Sequence, residues 1–290
     1  MCKRLQDGAS KPLNKIELLN DQSCLRKVIR YVVNRQNVDG GYTFCQGAES
    51  NAQDTYYGLS ILSILKQSLP NPEKTLEFLN ESRLDSINST YSVTKALLLL
   101  GKEGNERLKK RLHSILNSTN YFGSAEVFLE ASSEFTSTFM VLELANLVGV
   151  EMSSEEIVKW ILQFRNKDGG FGPQGISNIS STYYAGASMK LLNGELENLR
   201  AATKFIRSCE KPYGGFTIVP INFMPYVEYT YYGVMTLALI GETCKYPEQT
   251  KNYLLSCQNL NGGFARSDLG ISTFENTFQA VSVLKKIGYF

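Results

Sequence analysis

Histidine is nearly absent from this sequence: His113 is the only one. It falls in a stretch with Arg107, Leu108, Leu112 and Leu116 at helical spacing, so it reads as a solvated or packing residue of an outer helix. Long apolar runs are missing as well. Those present, such as Ala96 to Leu100, fall far short of the ~20 residues needed to span a bilayer. No transmembrane segment is expected. The opening residues Met1-Cys2-Lys3-Arg4 lead into polar sequence without the apolar core of a secretory signal, so a cytoplasmic location is the default expectation. None of the six cysteines stands in a Cys-x-x-Cys pair, which argues against a disulfide framework or zinc knuckle and for reduced thiols. Charge of one sign is lacking too. The 30 basic and 28 acidic residues are interspersed and leave a net +2, with no basic stripe of the kind nucleic acid requires. No shift in composition marks a linker, so residues 1–290 are expected to form one domain. Hydrophobic residues at 43% suffice for a buried core and exclude a disordered chain.

What the chain does have is repetition. Gln36-Asn37-Val38-Asp39-Gly40-Gly41-Tyr42 recurs as Arg165-Asn166-Lys167-Asp168-Gly169-Gly170-Phe171 and as Gln258-Asn259-Leu260-Asn261-Gly262-Gly263-Phe264, with a shorter echo at Tyr213-Gly214-Gly215-Phe216. Degenerate copies fall near Leu84 and at residues 120–123. A second motif follows each loop: Asp54-Thr55-Tyr56-Tyr57-Gly58, Thr90-Tyr91, Thr138-Phe139, Thr182-Tyr183-Tyr184, Glu228-Tyr229-Thr230-Tyr231-Tyr232-Gly233 and Glu275-Asn276-Thr277-Phe278. The threonines lie 35 to 48 residues apart, the length of one helical hairpin with its connections.

Each unit starts with an amphipathic outer helix, such as Ile157-Val158-Trp160-Ile161-Phe164. A glycine pair then permits a sharp turn and a close approach, and the aromatic residue beyond it plugs the gap. The threonine is expected to cap a second helix that is apolar on nearly every face and must therefore be buried. The first and last of these inner helices are as apolar as those between, whereas an open array needs polar ends. Six hairpins closed into an all-α toroid, an α6/α6 barrel, are the expectation. An open superhelix is the alternative.

With outer helix, Gln-x-x-x-Gly-Gly-aromatic loop and Thr-Tyr-Tyr inner helix in this order, the sequence resembles the β subunits of protein prenyltransferases and the barrel domains of squalene-hopene-type terpene cyclases. The resemblance covers essentially the whole chain. It implies a central apolar cavity, lined by aromatic side chains, that holds an isoprenoid. Tyr56, Tyr57, Tyr91, Phe139, Tyr183, Tyr184, Tyr231, Tyr232 and Phe278 are the candidates to bind it, with ordinary core packing as the alternative for each.

Prenyltransferase β subunits also carry a catalytic zinc held by Asp, Cys and His. At the matching positions stand Tyr213, Gly215 and Asn276, so no zinc is expected. Cys209 and Cys257 occupy equivalent positions in different repeats and read as small core hydrophobes. Arg207 matches a diphosphate-binding arginine of the prenyltransferase pattern. Lys211 lies one residue out of register with its companion lysine, and Phe216 replaces its tyrosine. If the substrate is a diphosphate, Mg²⁺ would accompany it. Class II cyclases use an Asp-x-Asp-Asp-Thr acid, and Asn51-Ala52-Gln53-Asp54-Thr55 keeps only the last carboxyl of that run. Glu228 and Glu275 stand two residues before their threonines, the register of the middle acid. Glu228, Glu275 and Asp54 are therefore the candidate acids. Together with Glu134 they would meet at one rim of a closed ring. Helix capping is the alternative, since a carboxylate at a helix N-terminus is favoured in its charged form.

Three functions fit these residues: an isoprenoid-processing enzyme, a non-catalytic binder of an isoprenoid or other apolar molecule, and a subunit pairing with a helical-repeat protein.

Overall fold

The computed structural model describes residues 15–117, 131–150, 152, 154–193 and 197–290, and every regular element in them is a helix. Helices α1 (Lys15–Val33) and α2 (Ala52–Ile64) form the first hairpin, α3 (Pro72–Glu81) and α4 (Ile87–Leu99) the second, and α5 (Glu106–Asn117) and α6 (Ala131–Val148) the third. The fourth pairs α7 (Ser154–Leu162) with α8 (Ile179–Leu191). In the fifth, two short pieces, α9 (Glu197–Arg200) and α10 (Thr203–Cys209), fill the outer position before α11 (Val227–Leu239). The sixth joins α12 (Pro247–Ser256) to α13 (Phe274–Lys286).

The second helix of each hairpin packs on its counterpart in the next, from α2 through α4, α6, α8 and α11 to α13, and α13 returns to α2. The ring is closed. At the closing seam Phe278 lies 5.2 Å from Tyr57, ring centre to ring centre, and Val281 is fully buried. No helix among the described residues is long and apolar enough to cross a membrane.

The glycine loops explain how identical spacing becomes a ring. In the loop after α1, Asp39 accepts hydrogen bonds from the Gly41 N–H and the Ser50 hydroxyl, and Asn37 donates to Ser50 and the Ala48 carbonyl. Asp168 and Asn166 repeat this with Gly170, Ser177 and Gly172, and Asn261 and Asn259 with Gly263, Ser272 and Gly270. Such side-chain turns replace the backbone partners that a reversing chain gives up. The first glycine of each pair then presses on the backbone of the next outer helix. A Cβ on Gly40 would lie 2.3 Å from the Lys74 carbonyl carbon, one on Gly169 2.1 Å from the Ala201 oxygen, and one on Gly214 2.2 Å from the Gln249 oxygen. On Gly262 it would meet the Lys27 oxygen of α1 at 2.1 Å, so the last loop makes with the first helix the contact the others make with their successors.

The plugs and threonines work together. Tyr42, Phe171, Phe216 and Phe264 are all fully buried. Their backbone N–H groups donate to the hydroxyls of Thr55, Thr182, Thr230 and Thr277 at 2.9–3.0 Å. Each hydroxyl in turn donates to the carbonyl four residues earlier, at Asn51, Asn178, Tyr226 and Thr273. This corrects the capping role expected for these threonines. The side-chain caps are Asn51, Ser86, Asn178 and Thr273, and the threonines sit one turn inside, where a hydroxyl with one donor and two lone pairs can satisfy loop and helix at once. The degenerate copy near Leu84 has no glycine pair, and Leu84 packs, partly buried, against the core cluster that includes Leu79 and Tyr91. The copy at residues 120–123 lies outside the described residues.

Replacing Gly262 by Ala is expected to cost far more than replacing Gly47, which shares a left-handed φ (+95° and +86°) but has nothing within 4 Å of a new Cβ. Gly47→Ala should lose ~1–2 kcal/mol from backbone conformation alone. Gly262→Ala should lose about 1–3 kcal/mol beyond that from overpacking at the seam. Urea midpoints read both, and equal losses would mean that the close approach contributes nothing.

Candidate functional site

The first turns of α4, α6, α8 and α11 surround an open vestibule of about 730 Å³, bounded by Ile87, Asn88, Thr136, Ser137, Asn178, Ser180, Glu228 and Tyr229. Met140, Tyr184 and Tyr232 line both this space and a second, inner chamber of about 240 Å³. The Tyr184 and Tyr232 hydroxyls are 3.2 Å apart and hydrogen-bonded across the boundary. These two phenols separate the vestibule from the chamber.

All nine aromatic candidates line the chamber: Tyr56, Tyr57, Tyr91, Phe139, Tyr183, Tyr184, Tyr231, Tyr232 and Phe278. They form a nearly continuous belt. Tyr91 meets Tyr56 edge-on at 6.0 Å, Tyr56 leans on Tyr57 at 5.1 Å, and Tyr57 leans on Phe278 at 5.2 Å. Phe278 meets Tyr231 at 5.9 Å, Tyr183 stacks on Tyr232 at 5.2 Å, and Tyr184 reaches Phe139 at 5.7 Å. The sequence places one or two rings directly after each inner threonine, and in α2, α8, α11 and α13 the threonine clamp fixes the rotation of the helix, so their rings share one level with those of α4 and α6. Burial raises the hydroxyls of Tyr57, Tyr183, Tyr231 and Tyr232 above the ordinary tyrosine range, so they stay neutral and serve as donors.

The candidate acids separate. Glu275 lines the chamber, where its Oε1 accepts from the Tyr57 hydroxyl at 3.3 Å and from Gln279 Nε2 at 3.4 Å. Burial raises its carboxyl above the usual range; the charge of Glu228 adds to this, the Tyr57 hydrogen bond opposes it, and the charge of Asp54 adds further. Glu228 stays at the vestibule and pairs with Arg266 at 2.6 Å, which makes it a counter-ion. Asp54 lines neither space. It is buried and accepts from the Phe44 N–H and from Asn51 Nδ2, both at 2.9 Å, tying its loop to α2. Glu134 lines neither space as well, so the four acids do not form one rim of carboxylates. Among the described residues no three of His, Cys, Asp and Glu gather as a metal site.

Arg207 and Lys211 also lie away from both spaces. Arg207 pairs with Glu210 at 2.9 Å and Glu242 at 3.1 Å, and Lys211 donates to the Pro220 carbonyl at 2.9 Å. The buried Glu210 carboxylate, the exposed Glu242 carboxylate and a loop carbonyl use these charges at the end of α10. Cys209 and Cys257 are fully buried in the core, and burial pushes their thiols up to about 12 and about 11.

Four chamber residues, Lys95, Met140, Glu143 and Gln279, escaped sequence reasoning, and two of them carry charge. Lys95 of α4 and Glu143 of α6 form an ion pair on the chamber wall, and the Tyr91 hydroxyl donates to Glu143. The signal existed: each is a charge within a helix otherwise apolar on nearly every face, and such a charge is paired or functional.

Comparison with known proteins follows from this geometry. The sequence model of the prenyltransferase alpha-alpha toroid domain family matches residues 9–86, 79–200 and 109–288. The chain belongs to that toroid family. Its sequence is 33% identical over 146 residues to the geranylgeranyl transferase type-1 subunit beta of Arabidopsis thaliana, a match spanning 44% of this chain but only 38% of that relative. The fold is similar to that of Candida albicans protein geranylgeranyltransferase-I complexed with GGPP, with a TM-score of 0.66, 19% identity and 90% of each chain covered. It is similar as well to a variant of the type II terpene cyclase MstE from Scytonema in complex with geranylgeranyl dihydroxybenzoate, with a TM-score of 0.62, 12% identity, and 94% of this chain and 99% of that one covered. As a toroid family member the chain departs from a zinc enzyme in its donor set. Tyr213 is exposed and donates to the Phe223 carbonyl, Gly215 has no side chain, and Asn276 gives its amide to Gln279. None of the three is a zinc donor, so the residues do not fit that metal.

The raised carboxyl of Glu275 sets a sign for pH dependence. The folded state holds this proton to higher pH than the unfolded chain, so the associated stability is complete below the ordinary value of 4.5 and is lost as pH rises through the folded value. Glu275→Gln mimics the protonated form and removes that loss. It should melt above the parent protein at mildly alkaline pH, with the gap closing as pH falls toward 4.5. A gap in melting temperature independent of pH would contradict the shift.

Proposed function

We propose that this protein binds a neutral isoprenoid in the inner chamber and that Glu275 starts its rearrangement by protonating an alkene. The observation that carries this is the position of one half-buried carboxyl, its proton affinity raised by desolvation, against a belt of aromatic faces. An acid catalyst must hold its proton to higher pH than a free carboxyl does, and burial shifts Glu275 in that direction. Its proton would form a new C–H bond at one alkene carbon and leave positive charge on the other. Ring faces stabilise such a cation through their quadrupoles, and hydrocarbon surfaces keep out the water that would quench it. Attack by a second alkene forms the ring bond, and loss of a proton from the product cation returns the carboxyl. The chamber and vestibule together are in the size range of small-molecule sites, ~300–1,000 Å³.

A neutral substrate fits better than a diphosphate. GGPP is the molecule complexed in the Candida albicans relative, yet the cations near this cavity already have carboxylate partners: Arg266 with Glu228 and Lys95 with Glu143. Bridging Mg²⁺ would need carboxylates that Arg266 and Tyr57 already engage.

Mass spectrometry of lipid co-purified with the protein, paired with turnover of a neutral polyprene, tests this. The parent protein should carry an uncharged isoprenoid and convert it. Glu275→Gln should retain the ligand and lose at least ~100-fold in rate. Conversion at the parental rate by Glu275→Gln, or recovery of an isoprenoid diphosphate, would overturn the proposal.

A pairing role is favoured by a different observation. Ile176, Ile221, Phe223, Met224, Leu269 and Ile271 are exposed on the loops leading into α8, α11 and α13, at the vestibule end, and the Arabidopsis relative is by name a subunit. Under this role a helical-repeat subunit would cover that end, and the isolated chain would self-associate through it. Sedimentation should then show Ile221→Ser with Phe223→Ser restoring the monomer, and a parent protein that is already monomeric would count against it.

A further inference from the structure

The belt of rings has one gap. It runs from Tyr91 on α4 by way of α2, α13, α11 and α8 to Phe139 on α6, and on the remaining side, between α4 and α6, stands the ion pair of Lys95 and Glu143. Relative to the inner threonine of its own repeat, Glu275 lies two residues before, the rings one or two after, and Lys95 and Glu143 five after. At 1.5 Å per residue the pair lies about 10 Å beyond Glu275 along the ring axis, on the side away from the vestibule. The chamber thus has an acid at its entrance, an aromatic wall, and a charged pair further in.

We propose that Lys95, Glu143 and Tyr91 form a subsite for a hydroxyl group, and that the ligand is an isoprenoid alcohol that enters with its oxygen first. The inference rests on the isoprenoid reading of the chamber and names the substrate class within it. Lys95 gives one of its three N–H donors to Glu143 Oε1, and Tyr91 donates to Oε2, which leaves lone pairs on the carboxylate and donors on the ammonium beside one another. A hydroxyl both donates and accepts, so it can bridge the two. An anionic head group would meet the Glu143 charge at close range and is disfavoured. A plain hydrocarbon would remove water from both charges and return no hydrogen bond, a desolvation loss that the pair alone does not repay. With the oxygen seated there, the far end of a folded chain comes to Glu275.

Equilibrium binding of farnesol and of the hydrocarbon lacking only its hydroxyl tests this on the full chain. The parent protein should hold the alcohol about tenfold or more tighter, the value of one hydrogen bond to a charged group. Lys95→Met with Glu143→Leu, a volume-conserving apolar replacement checked by its melting curve, should bind the hydrocarbon at least as well as the parent and lose the preference. Equal affinity of the parent protein for both ligands would overturn the hydroxyl subsite while leaving the isoprenoid chamber standing. Failure to bind either would overturn both.

Discussion

Backbone touching backbone at the glycine loops is the constraint on which the structure depends. A hairpin of two helices has no intrinsic angle to its neighbour, and side-chain packing alone tolerates a range of crossings. Contact between the first glycine of a loop and the main chain of the following outer helix removes that latitude, because neither partner has a side chain that can adjust. Made at four of the loops, this fixed step includes the one that closes the ring, where Gly262 meets α1 as Gly40 meets α3. A side-chain clamp reinforces three of these steps: Gln36 bridges Gly40 to Thr75, Glu210 accepts from the Tyr246 N–H, and Gln258 reaches the Cys24 carbonyl.

The same loops place the chemistry. Where the plug residue donates its N–H to the inner threonine, in α2, α8, α11 and α13, the helix can neither slide nor rotate relative to the loop, and the one or two residues beyond the threonine must face the axis. The repeat that closes the ring therefore also builds the belt of rings. Gly58 and Gly233 make room for this arrangement, since a Cβ on Gly233 would lie 2.4 Å from the Phe216 plug. What differs between repeats is left to positions outside the clamp: Glu275 before it, Lys95 and Glu143 beyond it.

That division explains what was legible in the sequence. The hairpins, the loops and the nine rings repeat, and repetition can be read without coordinates. The partners of charged residues do not repeat. Glu228 and Glu275 share one register, yet one meets Arg266 from the neighbouring loop and the other meets Tyr57 across the seam, 218 residues away in sequence. Asp54 looked like the remnant of a catalytic run and instead holds its own loop. Arg207 matched a pattern position, but Glu210 and Glu242 had already claimed its charge. The threonines looked like caps because they begin the apolar run, whereas the helices start a turn earlier, and in α2, α4, α8 and α13 a polar residue there does the capping with its own side chain.

The Gln258 clamp on Cys24 joins residues 234 apart in the chain. Until that stretch has been synthesised, the first inner helix has no partner on one side, and its apolar face is open to water. Each further hairpin covers its predecessor and exposes itself, so a growing chain carries an unsatisfied edge throughout its assembly. Contacts this distant form late, because the entropy of closing so long a loop must be met before they contribute. The nascent protein is therefore adhesive until the last hairpin arrives, and a holding chaperone at the ribosome would have most to do here, in the interval before the final seam shuts.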